Sequence, residues 1–285
     1  MEVVALPDAA AFLRGAAPLL GRDPAANNLP LGIAQRLVDR PDAYDEAFFW
    51  VAERDGDVVG AALVTPPYPA VLADPIDEGA VPALVTTLAE ARPGLPGVTA
   101  NEPWASRFAD GWAATTGTTW RIALGQGVFV MNSLEPPRQT GGAPRPATEG
   151  DRSLLAAWFR AFEREALQAT IRDEGFADRD LSARLGHGTT AGITIWEVEG
   201  TPVSLTGWSR IPGGARIGPV YTPPEHRGRG YASNLVAHVS AEMLSRGPGA
   251  CFLYTDLGNP TSNAIYRRLG YEQVAESSMI AFGDA

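Results

Sequence analysis

Residues Val220-Tyr-Thr-Pro-Pro-Glu-His-Arg-Gly-Arg-Gly-Tyr-Ala232 decide how this chain reads. They close a run of strand formers, Ala215-Arg-Ile-Gly-Pro-Val-Tyr-Thr222. Pro223 and Pro224 end that strand, because proline supplies no ladder donor. Beyond the glycines, Ala232, Leu235, Val236, Val239 and Met243 share one face of a helix expected from Tyr231 to Ser245. Arg246-Gly-Pro-Gly249 stops it. A strand, a glycine-bearing loop and a helix N-terminus make an anion site. Glycines let backbone approach a phosphate, the first helical amides lack intrahelical acceptors, and the helix dipole adds positive potential. The loop has no Gly-Lys-Ser/Thr and does not fit G-x-G-x-x-G. It offers R-x-x-G-x-A, in Arg227, Gly230 and Ala232.

Downstream, Cys251-Phe-Leu-Tyr-Thr-Asp256 is a β-rich run. Asn259-Pro-Thr-Ser-Asn-Ala-Ile-Tyr-Arg-Arg-Leu-Gly-Tyr271 follows. Asn259 suits an N-cap, Pro260 the first helical position and Gly270 the C-terminal stop. Tyr271–Val274 and Ser278–Phe282 read as two closing strands.

The two motifs, in this order and spacing, resemble the GNAT N-acetyltransferase superfamily. The resemblance is clear from Val220 to Tyr271, and a hairpin at Ile193–Trp208 extends it. It implies that the end of the strand, at Val220, Tyr221 and Thr222, pairs with the pantetheine of acetyl-CoA. Loop residues Arg227, Gly228, Arg229, Gly230, Tyr231 and Ala232, with Ser233 at the edge, would hold the pyrophosphate. The Arg227 side chain would contact phosphate or brace the loop; the position suits both. Asn259 and Asn263 would lie near the cofactor arm, and Tyr266 near the sulfur as general acid. The backbone amide of Tyr221 or Thr222 would stabilise the oxyanion. The implied reaction is direct attack of an amine on acetyl-CoA. No general base is singled out: Glu163, Glu165, Glu197 and Asp256 are candidates by proximity only, and each reads first as a solvated surface carboxylate. Tyr266 also reads as an aromatic packed under a sheet.

A Pro/Gly-rich stretch, residues 135–150, has no hydrophobic periodicity and reads as a linker. It separates residues 1–134 from 151–285. The two pieces look alike. Phe48–Glu53, a turn at Arg54-Asp-Gly-Asp57 and Val58–Val64 parallel Ile193–Val198, Glu199-Gly-Thr201 and Pro202–Trp208. Helical stretches precede both hairpins, the second through Leu154, Leu155, Trp158, Phe159, Phe162 and Leu167. Asn101-Glu-Pro-Trp echoes Asn259-Pro-Thr-Ser. We read a diverged tandem duplication, similar to tandem GNAT architecture. Its fold class is α/β (α+β): two domains, each a mostly antiparallel mixed sheet flanked by helices, with one parallel, splayed pair. The first copy lacks the phosphate loop. Its glycine-bearing piece, Arg92-Pro-Gly-Leu-Pro-Gly97, follows a helix instead of preceding one, and its prolines remove amide donors. It is expected to bind no CoA.

Composition narrows the alternatives. The chain has 285 residues, 45% hydrophobic and 20% charged, which is globular composition. No apolar run reaches bilayer length and no secretory signal is visible, so a cytoplasmic protein is expected. The net charge is −10, with every basic residue an arginine, so a nucleic-acid partner is not expected. One cysteine, Cys251, makes neither an internal disulfide nor a thiolate metal site, and no metal is expected. Cys251 reads as a core residue. His187 and His238 lack acid or nucleophile partners at any catalytic spacing; His226 borders the loop and reads as solvated, with phosphate contact as the alternative. The partners implied are acetyl-CoA and a small-molecule or peptide amine; oligomeric state is open. The alternative function is a non-catalytic acyl-CoA-binding sensor or interaction protein.

Overall fold

The computed structural model describes residues 1–75, 77–166, 176–186, 189–247 and 249–283. Leu167 and His187 lie outside them, as does Pro248 of the helix stop. The chain forms two compact units, Met1–Val128 with Val274–Ala285, and Phe129–Gln273.

The first unit runs β1 (Glu2–Leu6), α1 (Ala9–Leu20), α2 (Asn28–Asp39), β2 (Phe48–Arg54), β3 (Asp57–Val64), β4 (Ala70–Leu72), α3 (Ala80–Ala91), β5 (Gly97–Asn101), α4 (Trp104–Thr116) and most of β6 (Trp120–Met131). The second runs β7 (Ala143–Pro146), α5 (Arg152–Ala166), α6 (Phe176–Gly186), β8 (Ala191–Val198), β9 (Thr201–Ile211), β10 (Gly214–Tyr221), α7 (Tyr231–Ser245), β11 (Ala250–Asp256) and α8 (Pro260–Arg268). A last strand, β12 (Glu272–Phe282), follows. Element order repeats from one unit to the other, so the duplication legible in the hairpins extends through the chain. Both hairpin turns use two left-handed residues, Asp55 and Gly56 (φ 54° and 88°) and Glu199 and Gly200 (φ 49° and 78°). That geometry matches strand twist and favours glycine at the second place.

In the first unit the strand order is β1-β2-β3-β4-β5-β12-β6; in the second, β11-β10-β9-β8-β7. Neighbours are antiparallel at β1–β2–β3–β4 and at β7–β8–β9–β10. One parallel pair sits in each unit, β4–β5 and β10–β11. In the first unit Leu84, Leu88, Val98, Phe108 and Trp112 are buried together, and Phe282 stacks on Trp112 at 5.1 Å. In the second, Leu235, Val236 and Val239 of α7 pack with Trp208, Ile217, Leu253 and Tyr271. A separate cluster unites Leu155, Trp158 and Phe159 of α5 with Leu205 and Tyr221.

The structure departs from the sequence reading in three places. The closing strands are one continuous strand: Ser277–Ala281 pair antiparallel with Asn101–Gly97, and the polar middle stays extended because its groups are used. Ser277 Oγ donates to Ala100 O at 3.0 Å, and the Glu102 amide donates to Glu276 O at 2.8 Å. From Val274 onward the chain therefore belongs with the first unit, not with residues 151–273. Residues 135–150 contain β7, whose Ala143–Pro146 pair with Glu197–Thr194, so part of the stretch read as linker is a sheet edge. Two prolines are tolerated there because an edge strand needs donors on one side only. Asn101, the counterpart of Asn259 in the repeat, ends β5, buried, and α4 starts after Pro103.

Candidate active site

The site is built where β10 and β11 part. They pair only over Gly214–Arg216 with Ala250–Phe252, yet continue to Tyr221 and Asp256. On its other side β10 stays paired with β9, across a register shift between Ile217 and Val220. The backbone of Ile217–Tyr221 facing β11 is thus left open to a ligand strand. Buried Arg184 supports the shift: its Nε donates to Asp180 Oδ2 at 2.7 Å and its Nη1 to Trp208 O at 3.1 Å. Its guanidinium fills the notch that Gly207 leaves against Gly218 and Pro219.

After Tyr221 the chain makes one 3₁₀ turn, Pro224–His226, and enters the loop. Gly228 and Gly230 have φ of +74° and +81°. A Cβ at Gly228 would meet nothing, and one at Gly230 would make only ordinary contacts, with Asn234 Nδ2 at 3.7 Å and Thr140 Cβ at 4.0 Å. Glycine is needed here for backbone conformation, not for room. Gly230 is the N-cap of α7, and the first helical bond is Asn234 N to Gly230 O, 3.1 Å. None of the described hydrogen bonds uses the amides of Gly228, Arg229, Gly230, Tyr231, Ala232 or Ser233. These are six donors at a helix N-terminus.

The loop is fastened by residues that motif reading missed. Thr140 Oγ1 donates to Arg229 O at 2.9 Å, and buried Asn234 Nδ2 to Arg138 O at 3.0 Å. Trp196 Nε1 donates to Gly141 O at 3.0 Å. Ser204 Oγ donates to Tyr221 O at 3.1 Å and shares a hydrogen bond with Thr222 Oγ1 at 2.8 Å. Arg227 does not point its charge into open loop space. Its Nε donates to Thr222 O at 2.8 Å and its Nη2 to Glu165 Oε2 at 2.5 Å, so it braces the loop.

Across the opening, Asn259 Oδ1 accepts from Ser262 N at 3.1 Å, capping α8 as expected. Asn263 is buried, and its Nδ2 donates to Asp256 O and Leu257 O at 3.1 and 3.3 Å. Its Oδ1 is a buried acceptor without a partner. Tyr266 is 9% exposed and packs edge-on against Tyr271 at 5.9 Å. Burial pushes its pKa up to about 12, and its hydroxyl makes no hydrogen bond among the described residues. Cys251 is buried beside Ser240, and burial raises its thiol to about 12; it is a packed core residue, not a nucleophile.

Of the carboxylates considered as general base, Glu165 is engaged by Arg227 and Tyr221, which hold it below the usual range. Glu197 is held by Arg145 at 2.6 Å, and Asp256 Oδ1 accepts from Gly258 N at 2.7 Å. Glu163 lies on α5. His226 closes the 3₁₀ turn, its Nδ1 buried without a partner, and His238 faces Glu242 across 4.0 Å on α7. Among the described residues no group of His, Cys, Asp or Glu is arranged to hold a metal ion. No helix among them is long and apolar enough to cross a membrane.

In the first unit β4 and β5 pair over Ala70 and Val71 with Val98 and Thr99 only. Here side chains cross the gap. Asn101 Nδ2 donates to Asp74 Oδ1 at 3.0 Å and to Ala26 O at 3.1 Å, and the Asp74 amide donates to Asn27 Oδ1 at 2.9 Å. The approach to α3 carries the acidic Asp77 and Glu78, whereas the approach to α7 carries Arg227 and Arg229.

Residues 197–280 match the family model described as FR47-like protein. The chain superposes on a tandem GNAT protein from the clavulanic acid biosynthesis pathway with a TM-score of 0.61, at 16% identity, covering 100% of this chain and 99% of that one. A GCN5-related N-acetyltransferase from Sphaerobacter thermophilus gives 0.60 at 20% identity, covering 98% and 94%. A GNAT-family acetyltransferase from Colwellia psychrerythraea gives 0.58 at 11%, covering 99% of each chain. No curated protein matches by sequence. At these identities the likeness is one of fold, and over the whole chain that fold is GNAT in tandem.

Proposed function

We propose that this chain, two GNAT folds in tandem, moves an acetyl group from acetyl-CoA to a primary amine of a small molecule or peptide, in the cytoplasm. The observation that carries the reading is the open backbone of Ile217–Tyr221 leading directly to six unengaged loop amides. The fit to acetyl-CoA is chemical. A pyrophosphate needs clustered donors, which Gly228–Ser233 present. Pantetheine needs backbone partners, which Val220, Tyr221 and Thr222 offer. Its amide N–H groups also need acceptors, and Asn263 Oδ1 is one without a protein partner.

A neutral amine attacks the thioester carbonyl carbon. The C–N bond forms and an oxyanion develops, met by the amide of Tyr221 or Thr222. Ser204 fixes both residues, so that donor is in place before reaction. The C–S bond then breaks, and the departing thiolate takes the proton of Tyr266. A hydroxyl with a pKa near 12 keeps its proton at neutral pH and so remains an acid. The ammonium proton leaves through solvent or an acceptor-side base, and a proton from solvent restores the Tyr266 hydroxyl, so the cycle closes with no net proton gained or lost. Catalysis belongs to the second unit; the first, with its gap bridged by Asp74 and Asn101, binds no CoA.

Calorimetric titration with acetyl-CoA tests this, together with free-thiol release over an amine panel. One site per chain, abolished by Gly230→Pro, with thiol release that Tyr266→Phe suppresses, is expected. Binding without thiol release from any amine leaves the acyl-CoA-binding sensor; no binding removes the reading.

A further inference from the structure

We infer that Glu165 is a positioning residue that locks the end of β10 and the anion loop to α5, a role that depends on the acyl-CoA reading above. Its two carboxylate oxygens take donors from both sides of the loop crossing. Oε1 accepts from the Tyr221 hydroxyl at 3.0 Å, and Oε2 from Arg227 Nη2 at 2.5 Å. Arg227 closes the ring by donating Nε to Thr222 O at 2.8 Å, with its guanidinium 5.8 Å from the Tyr221 ring centroid. That ring is buried and leans on Trp158 of α5 at 6.2 Å. One carboxylate on α5 therefore fixes the last residue of the open strand and the first residue of the R-x-x-G-x-A motif.

The motif alone leaves Arg227 open between phosphate contact and bracing the loop. In the fold its charge is already balanced by Glu165, which Arg227 keeps ionised by holding its pKa below the usual range. The phosphate is left to the loop amides and Arg229. The clasp sets where those amides stand. Glu165 and Arg227 are 42% and 49% exposed, so the pair adds little to overall stability. Its consequence is local: without it the strand end and the loop lose their shared anchor.

The test is calorimetric titration of the full chain with acetyl-CoA for wild type, Glu165→Ala, Arg227→Met, the double variant, and the charge-swapped pair Glu165→Arg with Arg227→Glu, with melting temperatures alongside. Each single variant is expected to bind about three- to tenfold more weakly. The double variant is expected to be no worse than the weaker single, the swapped pair to recover part of the loss, and melting temperatures to stay near wild type. In turnover the change is expected in KM for acetyl-CoA and not in kcat. Wild-type affinity in Glu165→Ala overturns the positioning role while the acyl-CoA reading stands. A large loss in Arg227→Met that Glu165→Ala does not share also overturns it, and returns Arg227 to direct phosphate contact. Failure of wild type to bind acetyl-CoA removes the reading itself and the role with it.

Discussion

Thr140 Oγ1 donates to the carbonyl oxygen of Arg229 at 2.9 Å, fastening to the anion loop a stretch whose composition marks it as a spacer. Asn234 and Trp196 hold the neighbouring carbonyls of Arg138 and Gly141. The loop is thus clamped from outside its own motif. Thr140→Val removes one hydrogen bond of this set, worth about 0.5–1.5 kcal/mol. Acetyl-CoA affinity is expected to fall by about two- to tenfold, read by calorimetry, while the melting temperature changes little.

At Gly230 the left-handed backbone, φ +81°, is the constraint, since a Cβ would make only van der Waals contact, with Asn234 Nδ2 at 3.7 Å and Thr140 Cβ at 4.0 Å. Gly230→Ala is therefore expected to strain the loop by about 1–2 kcal/mol without a clash. Weaker acetyl-CoA binding and a small drop in melting temperature are the expected pair of results. Unchanged binding would show that the loop geometry is not what holds the ligand.

Tyr266→Phe keeps the ring that packs on Tyr271 and removes only the hydroxyl. For a general acid the expected loss in kcat is about 100-fold or more, with KM for acetyl-CoA nearly unchanged. The pH profile gives a second check. With the hydroxyl pushed up to about 12 by burial, wild-type activity should rise as the amine deprotonates. It should show no loss from tyrosine ionisation below roughly pH 11.

Asp74 bridges the gap of the first unit, and burial raises its pKa despite the hydrogen bond from Asn101. The folded state therefore holds this proton more tightly than the unfolded chain. The stability so contributed is fully present below the ordinary aspartate range and is lost as pH rises through the raised value. Asp74→Asn keeps an acceptor for Asn101 and removes the buried charge. Denaturant titrations are expected to show a gain over wild type at neutral pH that vanishes in acid.

Ile280 is fully buried in the core of the first unit, on a strand more than a hundred residues away in sequence from that unit's other elements. Ile280→Ala is expected to cost about 2–5 kcal/mol. Residues 1–128 expressed alone are expected to lack a cooperative melt, because β5 then loses its antiparallel partner along Gly97–Asn101 and keeps only the short parallel pairing to β4. Co-expression with a peptide spanning residues 272–285 is expected to restore it. A sharp melt for the fragment alone would show that β12 is dispensable.

Much of the second unit was legible because its signals are local. The helix Tyr231–Ser245 has both an apolar face and a stop, and Asn259-Pro260 is a cap followed by the residue that suits the first turn. The hairpin turns at Gly56 and Gly200 needed only neighbouring residues. The boundary near residue 134 and the pair of closing strands rested on composition and on short apolar runs. Neither signal shows which partner a strand will find. Asn101 matched Asn259 in type and place, yet one ends a strand and the other caps a helix, because Glu102-Pro103 follows the first.

The sequence by itself determined the tandem plan, the anion loop and the residues that flank it, since glycine conformation, proline chemistry and helix periodicity act over a few residues. Tertiary structure decided the rest. It placed β12 beside β5, turned Arg227 from the loop toward Glu165, tied residues 138–141 to α7, and bridged the first unit's gap with Asp74 and Asn101. Each of these joins residues distant in sequence, and such pairings are chosen by the packing of the whole unit: by which buried donors and acceptors remain to be satisfied once the helices and strands have formed.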